Sequence, residues 1–140
     1  MRQLEKEKQK KEHILVCLSS SPSNEKIIRT AAQMAQAFQA GFTALYVQTA
    51  EKTEKTPEDL ARLQKHVRLA EQSGAEIVTI HSEDIALQIA EYARISEVTR
   101  IVIGKSMMNQ GFFRKRRGWT ERLTDLVPDL EIHIIPVILN

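Results

Sequence analysis

The sequence predicts a doubly wound α/β domain: a five-stranded, mainly parallel sheet with helices on both faces. Three observations carry this. Short, almost wholly apolar runs recur along the chain, as strands buried on both faces require. Between them lie segments whose apolar residues return at helical spacing. Each change from one pattern to the other carries punctuation, either a hydroxyl residue followed by proline or a glycine. Strands separated by helical crossovers pair in parallel, and right-handed crossovers cover both faces of the sheet.

The elements follow in order. Residues 1–12, MRQLEKEKQKKE, are almost all charged or polar and read as a solvated lead-in or linker to a domain over 13–140. His13 to Leu18 (HILVCL) is the first strand. Ser21-Pro22 predicts a cap and first helical residue. Ile27, Ile28, Ala31, Ala35 and Phe38 form the apolar face of that helix, and Gly41 its stop. Phe42 to Val47 is the second strand. Thr56-Pro57 opens a helix with Leu60, Leu63, Val67 and Ala70 on one face, and Gly74 ends it. Ala75 to Ile80 is the third strand. Ser82 is the expected cap of a helix carrying Ile85, Ala86, Ile89, Ala90 and Ala93, with Glu83 and Asp84 in its first turn. Arg100 to Gly104 is the fourth strand, residues 120–127 a short helix, and 131–139 the last strand.

Composition narrows the function. Twenty basic against 18 acidic residues leave a net charge of +2, so no general nucleic-acid-binding surface is expected. No apolar run approaches a membrane span, the first residues are too polar for a secretory signal, and the one cysteine permits no internal disulfide. These features point to a cytoplasmic domain without membrane contact of its own. No catalytic constellation is visible. Cys17 lies in an apolar strand, the four histidines lack metal-ligand spacing, and there is no phosphate-binding loop of the GxxxxGK[ST] type. The expectation is a domain that is not an enzyme and needs no metal.

In doubly wound sheets, ligands sit at the carboxyl ends of the strands, where the strand order reverses. Two segments fall there. Ser19-Ser20-Ser21-Pro22-Ser23-Asn24 leads into a helix N-terminus, which suits an anion; the same serines also serve as local caps. After the fourth strand, Gly104-Lys105 begins a stretch to Trp119 in which Phe112, Phe113 and Trp119 interleave with Lys105, Arg114, Lys115, Arg116 and Arg117. That mixture suits phosphate plus a flat base. It equally describes a solvated basic surface anchored by aromatics, and RNA binding by this loop is a third reading. Like charges and three glycines predict that the loop is mobile without ligand.

The order of strand, serine loop, helix and strand, with a later strand ending in Gly104, resembles the universal stress protein family. In that family the first strand ends in an Asp-Gly-Ser-like turn that meets adenine or ribose, matched here by Ser19, Ser20 and Ser21. Its ATP-binding members carry Gly-x2-Gly-x9-Gly-Ser/Thr. This chain keeps Gly104, places Met107 at the second glycine, and offers Gly118 one residue late. Met107 would obstruct the close backbone approach to phosphate.

A narrower resemblance rests on Glu25 to Ala32 (EKIIRTAA), Trp119-Thr120-Glu121-Arg122-Leu123 and Pro128-Asp129-Leu130. These residues look like the stress-protein-like domain of KdpD-type potassium sensor histidine kinases. Some kinases of that type bind cyclic di-AMP there, through Ser-x-Ser and, twenty residues on, Phe-Thr-Ala-x-Tyr. The matching positions are Ser19, Ser21, Phe42, Thr43, Ala44 and Tyr46. The resemblance implies a regulatory module whose ligand is an adenine nucleotide, cyclic di-AMP ahead of ATP. Ser19 and Ser21 would meet base or phosphate, Tyr46, Phe112 and Trp119 would stack on the ligand or wall the pocket beside Gly104, and Lys105, Arg114 and Arg116 would neutralise phosphate. Its partners would be the other domains of a membrane-anchored parent kinase. A second copy is also expected, pairing through the last strand, where Pro136 fits an edge. A ligand-free docking module and a free-standing ATP-binding stress protein are the competing readings.

Overall fold

A computed structural model of the chain describes residues 11–48, 55–105 and 119–136. Among the described residues, five strands alternate with four helices: β1 (His13–Cys17), α1 (Asn24–Phe38), β2 (Gly41–Gln48), α2 (Pro57–Gln72), β3 (Glu76–His81), α3 (Ile85–Ile95), β4 (Arg100–Gly104), α4 (Trp119–Leu126) and β5 (Glu131–Ile135). The sheet order is β3-β2-β1-β4-β5, and every pairing is parallel. The doubly wound architecture is therefore as the apolar runs predict. The order turns back between β1 and β4, so the switch point lies at their carboxyl ends.

Strand period sends alternate residues to opposite faces. Leu15, Cys17, Leu45, Ile101 and Ile103 meet Ala86, Ile89, Ala90 and Ala93 of α3 and Leu123 of α4. Ile14, Val16, Phe42, Ala44 and Val102 meet Ile27, Ile28, Ala31 and Ala35 of α1 and Ala70 of α2. The small alanines let the helices approach the sheet closely, and the β-branched strand residues fill the layer between them.

Several boundaries differ from the sequence reading, each for a local reason. The start of α1 is Asn24, not Pro22. Its cap Ser23 makes no side-chain capping bond, and Ser21 lies in the preceding turn. Gly41 does not stop α1, for it opens β2. The stop is Gln39, left-handed at φ 52°, with Ala40 N–H donating to Ala35 O at 2.8 Å. Asp84 rather than Ser82 caps α3, accepting from Leu87 N–H at 3.2 Å, because a carboxylate is the stronger acceptor. The Ser82 hydroxyl instead accepts from Asp84 N–H at 3.1 Å. Thr56 caps α2 as expected and forms a capping box with Asp59, and Gly74 follows that helix at φ 98°. The lead-in's last residue, Glu12, is anchored: its carboxylate accepts from Thr99 Oγ1 at 2.6 Å and Arg100 Nε at 3.1 Å. The expected strand from 131 to 139 is described to Ile135. Residues 1–10, 137–140 and the basic loop, with its predicted mobility, lie outside the described residues.

Candidate functional site

The serine turn is held from three sides. Leu18 N–H donates to Leu45 O at 2.8 Å, extending the β1–β2 ladder so that Ser19 emerges beside the end of β2. Asn24, 1% exposed, bridges the turn from below: its Nδ2 donates to Cys17 O at 3.1 Å, and its Oδ1 accepts from Ser19 N–H at 3.1 Å. From the side, α2 reaches across. His66 Nδ1 lies 2.8 Å from Ser19 O, and Arg62 Nη1 donates to Ser20 O at 3.0 Å. A carbonyl only accepts, so the His66 proton sits on Nδ1.

This scaffold leaves hydrogen-bonding capacity at the surface. Ser19 Oγ accepts from Ser21 N–H at 3.2 Å and donates to none of the described residues. Its hydroxyl proton is therefore available to a ligand. Ser21 Oγ lies 2.9 Å from Ser23 Oγ and accepts from Ser23 N–H at 3.3 Å, which orients it. The Ser20 N–H bonds no described residue. Donors thus cluster where α1 begins, beside the positive end of its dipole. The arrangement can bind an acceptor-rich group; it contains no base poised against a nucleophile.

The sequence-predicted residues divide by position. Ser19, Ser21, Tyr46, Gly104 and Lys105 lie at or near the carboxyl edge. Tyr46 is half-buried, with Lys55 Nζ 5.9 Å from its ring centroid. Gly104 ends β4, and Lys105 is exposed. Phe42, Thr43 and Ala44 are not brought to that edge. They sit in the first half of β2, roughly 7–13 Å from Tyr46 at the rise of a strand, and all three are buried. Phe42 and Ala44 pack toward α1 and α2, while the Thr43 hydroxyl meets His13 Nε2 at 2.8 Å. Because His13 Nδ1 donates to Ser96 O at 2.9 Å, Nε2 accepts from Thr43. Trp119 opens α4; Arg114 and Arg116 lie outside the described residues.

Asn24, Arg62 and His66 escaped the sequence reading. An asparagine after a serine run reads as turn filler, and nothing local ties residues 62 and 66 to residue 19. The one available signal was a histidine on the inward stripe of α2, one residue before Val67. Burial pushes the Cys17 thiol up to about 12, which keeps it protonated and unreactive. Among the described residues, no group of three or more His, Cys, Asp or Glu is placed to hold a metal ion, and no helix is long and apolar enough to cross a membrane.

Residues 11–113 match the universal stress protein family. The chain belongs to that family. Within it, the chain is similar to the sensor protein KdpD of Clostridium acetobutylicum, 37% identical over 129 residues, which are 89% of this chain and 14% of that protein. The chain therefore spans a small part of that relative. Among solved structures, universal stress protein UspA of Lactobacillus plantarum is 25% identical, with a TM-score of 0.59 over 89% of this chain and 97% of that one. The universal stress protein of Archaeoglobus fulgidus in complex with dAMP shares the fold: 18% identity, TM-score 0.53, covering 91% and 98% of the two chains.

Proposed function

We propose that this universal stress protein domain is a regulatory module of a potassium-responsive sensor histidine kinase, binding an adenine nucleotide at the carboxyl edge of β1 and β4. The observation that carries the reading is the serine turn: braced by Asn24, Arg62 and His66, with the Ser19 hydroxyl proton and Ser20 N–H unspent. The A. fulgidus relative holds dAMP in the same fold, which favours an adenine ligand. The Ser-x-Ser and Phe-Thr-Ala-x-Tyr pattern favours cyclic di-AMP, as does Met107 at the position where ATP-binding relatives keep glycine. In this reading Ser19 and Ser21 meet the base or phosphate and Tyr46 and Trp119 wall the pocket beside Gly104. Lys105, Arg114 and Arg116 neutralise charge, while Phe42, Thr43 and Ala44 set the position of β2 through the core. The domain would be cytoplasmic and non-catalytic, passing its signal to a membrane-anchored parent by binding two kinase states unequally.

Calorimetry on wild type and Ser21→Ala tests the reading. Cyclic di-AMP should bind the wild type more tightly than ATP does, and Ser21→Ala should weaken it by about 1.5–3 kcal/mol, the cost of a hydrogen bond to a charged partner. Absence of heat with cyclic di-AMP, AMP and ATP would reject it in favour of a ligand-free docking module.

A further inference from the structure

Between α1 and α2 the surface opens into a groove of about 380 Å³, within the size range of small-ligand sites. Arg29 and Glu25 line one wall; Lys65, Arg68 and Gln72, on one stripe of α2, line the other with His66. Arg29 is committed to Glu25 at 3.1 Å. Lys65 and Arg68 make no hydrogen bond or ion pair among the described residues. His66 is 2% exposed; its Nδ1 proton is spent on Ser19 O, and its Nε2 has no partner among the described residues.

Two requirements follow for an occupant. Three cationic side chains against one carboxylate give the walls a positive balance, which selects an anion. A ring whose proton sits on Nδ1 presents a lone pair at Nε2, and a buried lone pair without a partner is costly. A hydroxyl donor satisfies it; an ionised oxygen does not. We propose that this groove is a second ligand site, taking a phosphate ester that carries a neighbouring hydroxyl, the ribose-phosphate unit. Lys65 and Arg68 hold the phosphate, and His66 Nε2 accepts from the sugar hydroxyl. The groove borders the serine turn: Glu25 follows Asn24 in the first turn of α1, and His66 donates to the Ser19 carbonyl.

Chemical-shift titrations of the isotope-labelled chain test it, using ribose 5-phosphate, sulfate and AMP at constant ionic strength. Ribose 5-phosphate should move the amides of Arg29, Lys65 and Arg68 together with those of Ser19 and Ser20. It should bind roughly tenfold more tightly than sulfate, which has no hydroxyl to donate, the value of one hydrogen bond to the ring. Lys65→Glu with Arg68→Glu should weaken it by about tenfold or more. Both side chains are exposed, and a melting curve checks that the pair folds. AMP binding equal to ribose 5-phosphate supports a site for the unit in either source; a tenfold preference for AMP supports nucleotides as the source. Calorimetry with cyclic di-AMP on the Lys65→Glu, Arg68→Glu variant, expected to match the wild type, separates this outcome from failure at the serine turn. No saturable shift at millimolar ligand, equal binding of sulfate, or an unchanged titration in the double variant would overturn the proposal.

Discussion

Asn24 carries more of the candidate site than any serine around it. Its amide ties the end of β1 to the turn that follows, accepting from one backbone group and donating to another. Asn24→Ala would leave Ser19 N–H and Cys17 O short of partners in a buried place, so a stability loss of about 2–3 kcal/mol is expected. Denaturant unfolding measures it, and ligand affinity should fall with it as the turn loosens. Cys17 makes a different prediction. Its folded thiol titrates at about 12 against an ordinary value of 9.0, because burial penalises the thiolate. The native protein holds that proton more tightly than the unfolded chain does. The resulting stability is complete below pH 9 and is lost as pH rises toward 12. Thiol reagents at pH 8 should therefore react with Cys17 on the order of a thousandfold more slowly in the folded than in the unfolded protein. The serines were legible as residues at a strand end; Tyr46 was legible only through the motif it shares with Phe42, Thr43 and Ala44. Phe42, Thr43 and Ala44 enter the site only through that motif, and the structure places all three in the core at the start of β2.

Helix ends show where local rules suffice and where they do not. The Thr56-Pro57 start of α2 needs only residues 56–59 and was readable as written. The start of α3 involves a distant partner. Asp84 caps the helix and also receives both guanidinium nitrogens of Arg122 at 3.1 Å, joining α3 to α4. The pair is about one-third exposed, so the bridge itself is worth at most about 1 kcal/mol, while the lost cap costs about 1 kcal/mol more. Asp84→Ala should therefore lower the melting temperature by several degrees, and Arg122→Ala by less than half as much. Equal losses in the two variants, measured by calorimetry, would show that the cap contributes nothing. Gln39 illustrates the reverse failure: a left-handed residue is expected to be glycine, yet Gly41 sits two residues on, as the first residue of β2.

At the scale of the whole molecule, β5 lies at the sheet edge with Ile134 42% exposed. An edge strand with apolar outward residues invites a second copy. The isolated domain is expected to dimerise through it, and Ile134→Lys should return it to monomer by light scattering at high concentration. A monomeric wild type would end this expectation. Ligand binding should also register globally: cyclic di-AMP at a hundred times its Kd should add about 2.7 kcal/mol to apparent stability, visible as a rise in melting temperature that ATP at equal concentration does not match.

What the sequence determined by itself is the alternation of strands and helices, and with it the parallel sheet. Those features depend on periodicity and on crossover length, which are local. It also placed the serine turn at a strand's carboxyl end, because strand β1 could be bounded by its neighbours alone. Only the tertiary structure decided what holds that turn. His66 and Arg62 lie more than forty residues from the carbonyls they engage, and no pattern along the chain encodes that approach. The same holds for the groove between α1 and α2, whose walls come from two helices joined only by packing. Side-chain period specifies which face a residue takes; the packing of helices on the sheet specifies which residues from distant segments meet there.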